Sequence, residues 1–189
     1  MTPSLRALRL RAVWLLVVPF FLFARPSPRS LVVGAVLAFV GAAIRAWAAG
    51  TIRKERELTV TGPYAHTRNP LYLGSFLIGI GATIAGGVWA FTVAFLVFFA
   101  VVYSRTIRSE ADLLAERFGE RHADYVRNVP LFVPRAVPWR ATGSADLEGN
   151  GQGTSDGFTL GRWRRNREYE ALLGVAAAFL LLAAKMLWM

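Results

Sequence analysis

Thr61–Gly74 reads Thr-Gly-Pro-Tyr-Ala-His-Thr-Arg-Asn-Pro-Leu-Tyr-Leu-Gly, a run of polar and turn-forming residues placed directly before an uncharged apolar stretch. Within it, Tyr64, His66, Arg68, Asn69 and Tyr72 offer hydroxyl, imidazole, guanidinium and amide groups, and Arg105, Arg108 and Glu110 form a second polar group further along the chain. Gly62-Pro63 is a turn dipeptide, and Asn69-Pro70 joins a strong N-cap residue to a proline suited to the first helical position. A helix is therefore predicted to start at Asn69. Its first N–H groups, backed by the positive end of the helix dipole, form a natural anion site. The competing reading of the same residues is a capped membrane helix with an interfacial Tyr and Arg.

These residues must be positioned by membrane helices. The chain has 189 residues, 54% of them hydrophobic, and a positive mean hydropathy, which excludes an ordinary soluble fold. It contains no cysteine and only two histidines, His66 and His122, so a thiolate or histidine-rich metal centre is not expected. The formal charge of +10 comes from basic residues gathered beside apolar segments. The positive-inside rule explains that pattern without nucleic acid, which is not expected as a partner.

Five spans are predicted. The first is Ala12–Ala24 and the second Leu31–Ala49, which carries Arg45 near its end as a snorkelling anchor or a residue facing a polar cavity. No charged residue occurs from Leu71 to Ser104, and a single helix of that length would reach roughly 50 Å, so the stretch must divide. Gly86-Gly87 is the natural break. Ala171–Met189 is the fifth span. Counting Lys and Arg by side gives nineteen against two, with Lys185 apart, and this places the N-terminus, the Thr61–Gly74 motif and the 105–170 region in the cytoplasm.

Beyond Arg105 the helix becomes amphipathic, with Ile107, Ala111, Leu114 and Phe118 on one stripe and Glu110 at its margin. Tyr125–Pro138 holds three prolines and is expected to be an extended strap over the cytoplasmic mouth. Ala141–Gly157 reads as a mobile linker. The domain organisation expected is thus a membrane core over 1–140, a linker over 141–157, and a basic segment with a C-terminal membrane helix over 158–189.

Two motifs resemble the isoprenylcysteine carboxyl methyltransferase and phospholipid methyltransferase family of integral membrane enzymes. The first is Gly62-Pro63-Tyr64 followed by Arg68-Asn69-Pro70-Leu71-Tyr72-Leu73-Gly74, similar to the family's Gly-x-Tyr-x-x-x-Arg-His-Pro-x-Tyr-x-Gly. The second comprises Glu110, Leu114, Phe118-Gly119, Tyr125, Val129-Pro130 and Pro134. The resemblance covers about residues 58–134 and implies an all-α, multi-pass membrane bundle of about five helices with a cytoplasmic pocket for S-adenosylmethionine. By the same resemblance the cofactor would be held by Leu58, Thr59, Tyr64, Arg68, Asn69, Pro70, Leu71, Tyr72, Glu110 and Tyr125. Arg105, Arg108 and Glu110 would serve the reaction.

Direct methyl displacement from a sulfonium needs alignment more than acid or base work. The implied acceptor is a lipid-like or prenylated amphiphile, and the implied location is a prokaryotic plasma membrane with the site facing the cytoplasm. Asn69 stands where the family has His, Ala111 where it has a second Glu, and His122 where it has Tyr. The family's substrate-side Arg falls on Thr106, between Arg105 and Arg108. Two alternatives are a membrane reductase of the sterol-reductase type using NADPH and a non-enzymatic scaffold.

Overall fold

The structure, a computed structural model, describes residues 17–53, 57–140 and 157–189. Residues 12–16 of the expected first span and 141–156 of the expected linker lie outside the described residues. Among the described residues the chain is helical, without strands. After a helical segment at 17–23 come α1 (Pro28–Thr51), a 3-10 turn (Gly62–Ala65), α2 (Pro70–Ala85), α3 (Trp89–Asn128), a short α4 (Leu160–Arg165) and α5 (Glu168–Trp188). Three of these, α1, α3 and α5, are long and apolar enough to cross a membrane, and α2 is a shorter apolar helix.

Each boundary has a local cause. α1 begins earlier than its apolar run because Ser27 caps it in a reciprocal box: the Ser27 hydroxyl accepts from Ser30 N at 3.2 Å and Ser27 N donates to Ser30 Oγ at 2.9 Å, with Pro28 at the first helical position. At its other end, the orphan carbonyls of Ala49 and Gly50 are met from the C-terminal region. Asn166 Nδ2 donates to Ala49 O at 2.7 Å, while Arg162 Nε and Thr159 N donate to Gly50 O at 2.7 and 3.0 Å. The division at Gly86-Gly87 is as expected, since α2 stops at Ala85 and Gly87 turns the chain at φ 71°, a left-handed conformation that favours glycine.

α1 and α2 pack at backbone distance. A Cβ built on Gly41 would lie 2.6 Å from Gly74 O, and one on Gly34 would lie 2.3 Å from Gly81 O, so small residues set this approach as they do at membrane helix crossings. The end of the bundle beside the Gly86-Gly87 turn is closed by Phe20, Ala24, Ala85 and Leu182, with Lys185 Nζ donating to Phe21 O and Leu22 O at 2.8 and 2.7 Å. Outward-facing Val36, Phe39, Val97, Leu180 and Leu187 remain exposed, which is the surface a lipid phase covers.

The second motif folds differently from the expected strap. α3 is two helical segments that meet at a kink at Gly119, where φ is 49° and ψ −124°, and the second segment runs on to Asn128. Tyr125 is therefore helical, and the extended strap begins at Val129. The straight stretch from Trp89 to the Gly119 kink is about 45 Å long, longer than a hydrocarbon core of roughly 30 Å, so its outer end and the segment after the kink stand beyond the hydrocarbon.

The five spans expected from the sequence would put the two ends on opposite sides, and the absence of native cysteine allows a clean test. Single cysteines at Arg29 and at exposed Arg140 are expected to label from opposite faces of sealed vesicles. Labelling of both from one face would contradict this topology.

Candidate functional site

One end of the bundle gathers the C-terminus of α1, the N-terminus of α2, the outer half of α3 and the start of α5. Between α1, α2 and α3 lies a cavity of about 580 Å³. Gly62–Ala65 forms a tight 3-10 turn that buries Pro63, Tyr64 and Ala65, presenting Tyr64 to the cavity. The strap then locks the motif in place from outside. Arg68 N donates to Pro130 O at 2.9 Å, Arg135 N to His66 O at 2.9 Å, Trp139 N to Ala65 O at 3.0 Å, and Thr67 Oγ1 to Phe132 O at 3.1 Å. Tyr125 Oη donates to Tyr64 O at 2.7 Å from a buried position.

Asn69 occupies the N-cap position before Pro70, but its side chain makes no cap bond. Its Nδ2 donates instead to Leu131 O at 3.0 Å, so the amide fastens the strap and leaves the first-turn N–H groups of α2 uncapped by it. An acceptor-only or ring side chain at 69 would not make that bond in the same way.

The cavity brings together Leu58, Thr59, Tyr64, Arg68, Asn69, Pro70, Leu71, Tyr72, Glu110 and Tyr125. The α3 stripe faces it through Ile107, Ala111, Leu114 and Phe118. Tyr72 Oη donates to Glu110 Oε1 at 2.7 Å and joins the two motifs across the opening. Arg105 and Arg108 are exposed on α3 and do not line the cavity. The helical period explains it: residues two or five apart on a helix do not share a face, so neither follows Glu110 inward.

Residues without a motif signal also line the cavity: Arg53 and Glu57, which pair at 3.0 Å, and Arg117. Arg45 lines it too. Its position near the end of an apolar helix was the available signal.

The electrostatics favour a bound polar ligand. Burial raises the Tyr64 phenol well above its ordinary range, with neighbouring Tyr125 and Glu110 adding to the effect. It therefore stays a neutral hydroxyl that can donate and accept. Burial likewise raises Tyr125 against the lowering influence of Arg68. Desolvation lowers Arg68, and desolvation followed by the nearby Arg68 charge lowers His122, which keeps the His122 ring neutral at ordinary pH. Among the described residues, two buried side-chain atoms have no hydrogen-bond partner, Tyr64 Oη and Arg68 Nε, and both residues line the cavity. Buried polar groups are normally paired, so two unpaired ones on residues lining one cavity are candidates to meet a ligand's polar atoms.

Residues 32–121 match the family model described as phospholipid methyltransferase. The chain is 40% identical over 112 residues to the nickel-cobalt-cadmium resistance protein NccN of Alcaligenes xylosoxydans xylosoxydans, covering 57% of this chain and 50% of that one. It is 39% identical over 111 residues to the cobalt-zinc-cadmium resistance protein CzcN of Cupriavidus metallidurans, covering 57% and 49%. To the protein-S-isoprenylcysteine O-methyltransferase of Schizosaccharomyces pombe it is 30% identical over 81 residues, covering 43% and 34%. The chain thus spans about half the length of the first two relatives and about a third of the last. No solved structure matches it. The resemblance carried by the two motifs is accordingly that of the phospholipid methyltransferase family, whose pattern this membrane chain bears over residues 32–121.

Proposed function

We propose that the chain is an S-adenosylmethionine-dependent methyltransferase of the membrane whose acceptor is a lipid-like or prenylated amphiphile. One observation carries this reading. Two motifs separated along the chain converge on a single cavity at the end of the bundle, and the two unpartnered buried polar atoms both belong to that cavity's wall.

The residues fit the cofactor. The carboxylates of Glu110 and Glu57 can hold hydroxyl or ammonium groups, and the first turn of α2 at Leu71 and Tyr72 offers N–H groups for a carboxylate. Tyr64 and Arg68 add a neutral hydroxyl and a cation. Leu58, Ile107, Leu114 and Phe118 give the apolar wall that excludes water around a ring system. When bound, the cofactor supplies an electrophilic methyl group on a sulfonium. The chain's contribution is enclosure and alignment, with no proton to move at the cavity wall beyond what an acceptor loses to solvent.

The acceptor reading follows from the surroundings. A cavity built among membrane helices admits an amphiphile whose tail stays in the bilayer. Arg105 and Arg108, exposed outside the cavity at the membrane edge, suit the approach of an anionic head rather than the reacting centre. The cytoplasmic orientation follows from the charge count.

Purified protein incubated with methyl-labelled S-adenosylmethionine and fractionated membrane lipids or prenylated thiols is expected to place label in an organic-extractable product. Label confined to water-soluble products would reject the lipid acceptor, and no transfer to any fraction would count against the enzyme. Tyr64→Phe gives a sharper local check. Because its hydroxyl has no protein partner, the variant is expected to unfold at the same temperature as the parent or higher. Yet it should bind S-adenosylhomocysteine more weakly by about 0.5 to 1.5 kcal/mol, the net worth of one neutral hydrogen bond. Equal affinity would show that the hydroxyl meets no ligand.

A further inference from the structure

The C-terminal helix lies outside the segment matched by the family model, which ends at residue 121. It nevertheless contacts the cavity wall through Arg45. Glu168, in the first turn of α5, is buried at 5% exposure, and its carboxylate grips the Arg45 guanidinium in a bidentate pair. Arg45 Nε donates to Oε1 at 2.5 Å and Nη2 to Oε2 at 3.1 Å. The remaining edge of the guanidinium faces α2, where Nη1 donates to Ser75 Oγ at 2.5 Å and to Leu71 O at 3.5 Å. Ser75 Oγ in turn donates to Leu71 O at 2.9 Å. One planar cation thus ties α1, α2 and α5 together at the first turn of α2.

We infer that Glu168 is a positioning residue for the site: from the C-terminal helix it fixes Arg45 in the cavity wall and, through Arg45, the first turn of α2. The inference rests on the cofactor reading above. Three facts support it. Arg45 lines the cavity itself. It also borders a second, apolar groove of about 410 Å³ between α2 and α5, lined by Gly79, Ala82, Gly174 and Ala178, so Arg45, held by Glu168, stands between the polar cavity and that groove. Finally, a carboxylate in the first turn of a helix is favoured by the helix dipole, and a bidentate Arg–carboxylate pair fixes angle as well as distance. A flexible or singly bonded anchor would leave the guanidinium free to swing into the cavity. The chain as folded does not allow that.

A merely structural pair and a positioning pair respond differently to one substitution. Replacing a buried ion pair by apolar side chains of similar volume is often neutral or stabilising, whereas removing one partner leaves an uncompensated buried charge. The double variant Arg45→Met with Glu168→Leu is therefore expected to keep the parent's heat stability in detergent. Its affinity for S-adenosylhomocysteine, read by calorimetric titration, should fall by about tenfold or more, the range spanned by losing a hydrogen bond to a charged group. Glu168→Gln, which keeps the side chain's size, is expected to weaken binding in the same direction and covers the case in which the double variant does not fold. Parent-like affinity in both variants, with the parent binding well, would overturn the positioning role and leave the cofactor reading standing. Failure of the parent itself to bind would overturn the cofactor reading, and the positioning role with it.

Discussion

Gly41→Val is expected to lower the unfolding midpoint in detergent sharply and to abolish binding at the cavity. The first added carbon would sit 2.6 Å from Gly74 O and 2.9 Å from Ile78 N. Both are backbone atoms of α2, which cannot rotate aside as a side chain can. Relief requires α1 and α2 to separate. Overpacking of a close contact costs about 1 to 3 kcal/mol and sometimes more, and here the displaced helices carry Arg45 and the Asn69–Tyr72 turn, so the site is lost along with stability. Gly174→Ala is the matched control, because nothing lies within 4 Å of a Cβ at that position. Thermal unfolding followed by intrinsic fluorescence measures both. A Gly41→Val protein as heat-stable as the control would show that the two helices do not approach this closely.

Glu110→Ala is expected to weaken S-adenosylhomocysteine binding by about 1.5 to 3 kcal/mol, the worth of a hydrogen bond to a charged group. The carboxylate is exposed, so its removal strands no buried charge, and heat stability should change little. Its one protein bond among those described is from Tyr72 Oη at 2.7 Å, which makes Tyr72→Phe the informative companion. If Glu110 touches the ligand, Tyr72→Phe costs less than Glu110→Ala, since the carboxylate remains. If Glu110 only orients Tyr72, the two variants cost the same. Unchanged affinity on calorimetric titration of Glu110→Ala would remove this carboxylate from the site.

What the sequence revealed and what it hid follow the range of the interactions involved. The turn at Gly86-Gly87, the helix start after Asn69 and the cavity-facing stripe of Ile107, Ala111, Leu114 and Phe118 were legible because each depends on neighbours within a few residues. The start of the strap was misplaced because the prolines from Pro130 onward extend the expected strap back to Tyr125, whereas helix resumes after Gly119 and runs to Asn128. Gly119 makes the kink at a positive φ, and Tyr125 on the second segment bonds Tyr64 O, far away in sequence. Asn69 was legible as a residue at a helix start but not in what its amide does, since Leu131 O is 62 residues away. The pairing of Arg45 with Glu168 spans 123 residues, and nothing in the local pattern around either residue names the other. Arg53, Glu57 and Arg117 gave no signal because they belong to no motif and reach the cavity only through the packing of α1 on α2 and of α2 on α3.

The central claim is that this cavity binds S-adenosylmethionine, and ligand-dependent heat stability tests it most directly. A ligand that binds only the folded protein raises the unfolding midpoint by mass action, by an amount equivalent to about 2.7 kcal/mol at a hundredfold excess over Kd. Detergent-solubilised protein is expected to be stabilised by S-adenosylhomocysteine and not by NADPH, with the shift reduced in Tyr64→Phe. Stabilisation by NADPH alone, or by neither compound, would contradict the claim.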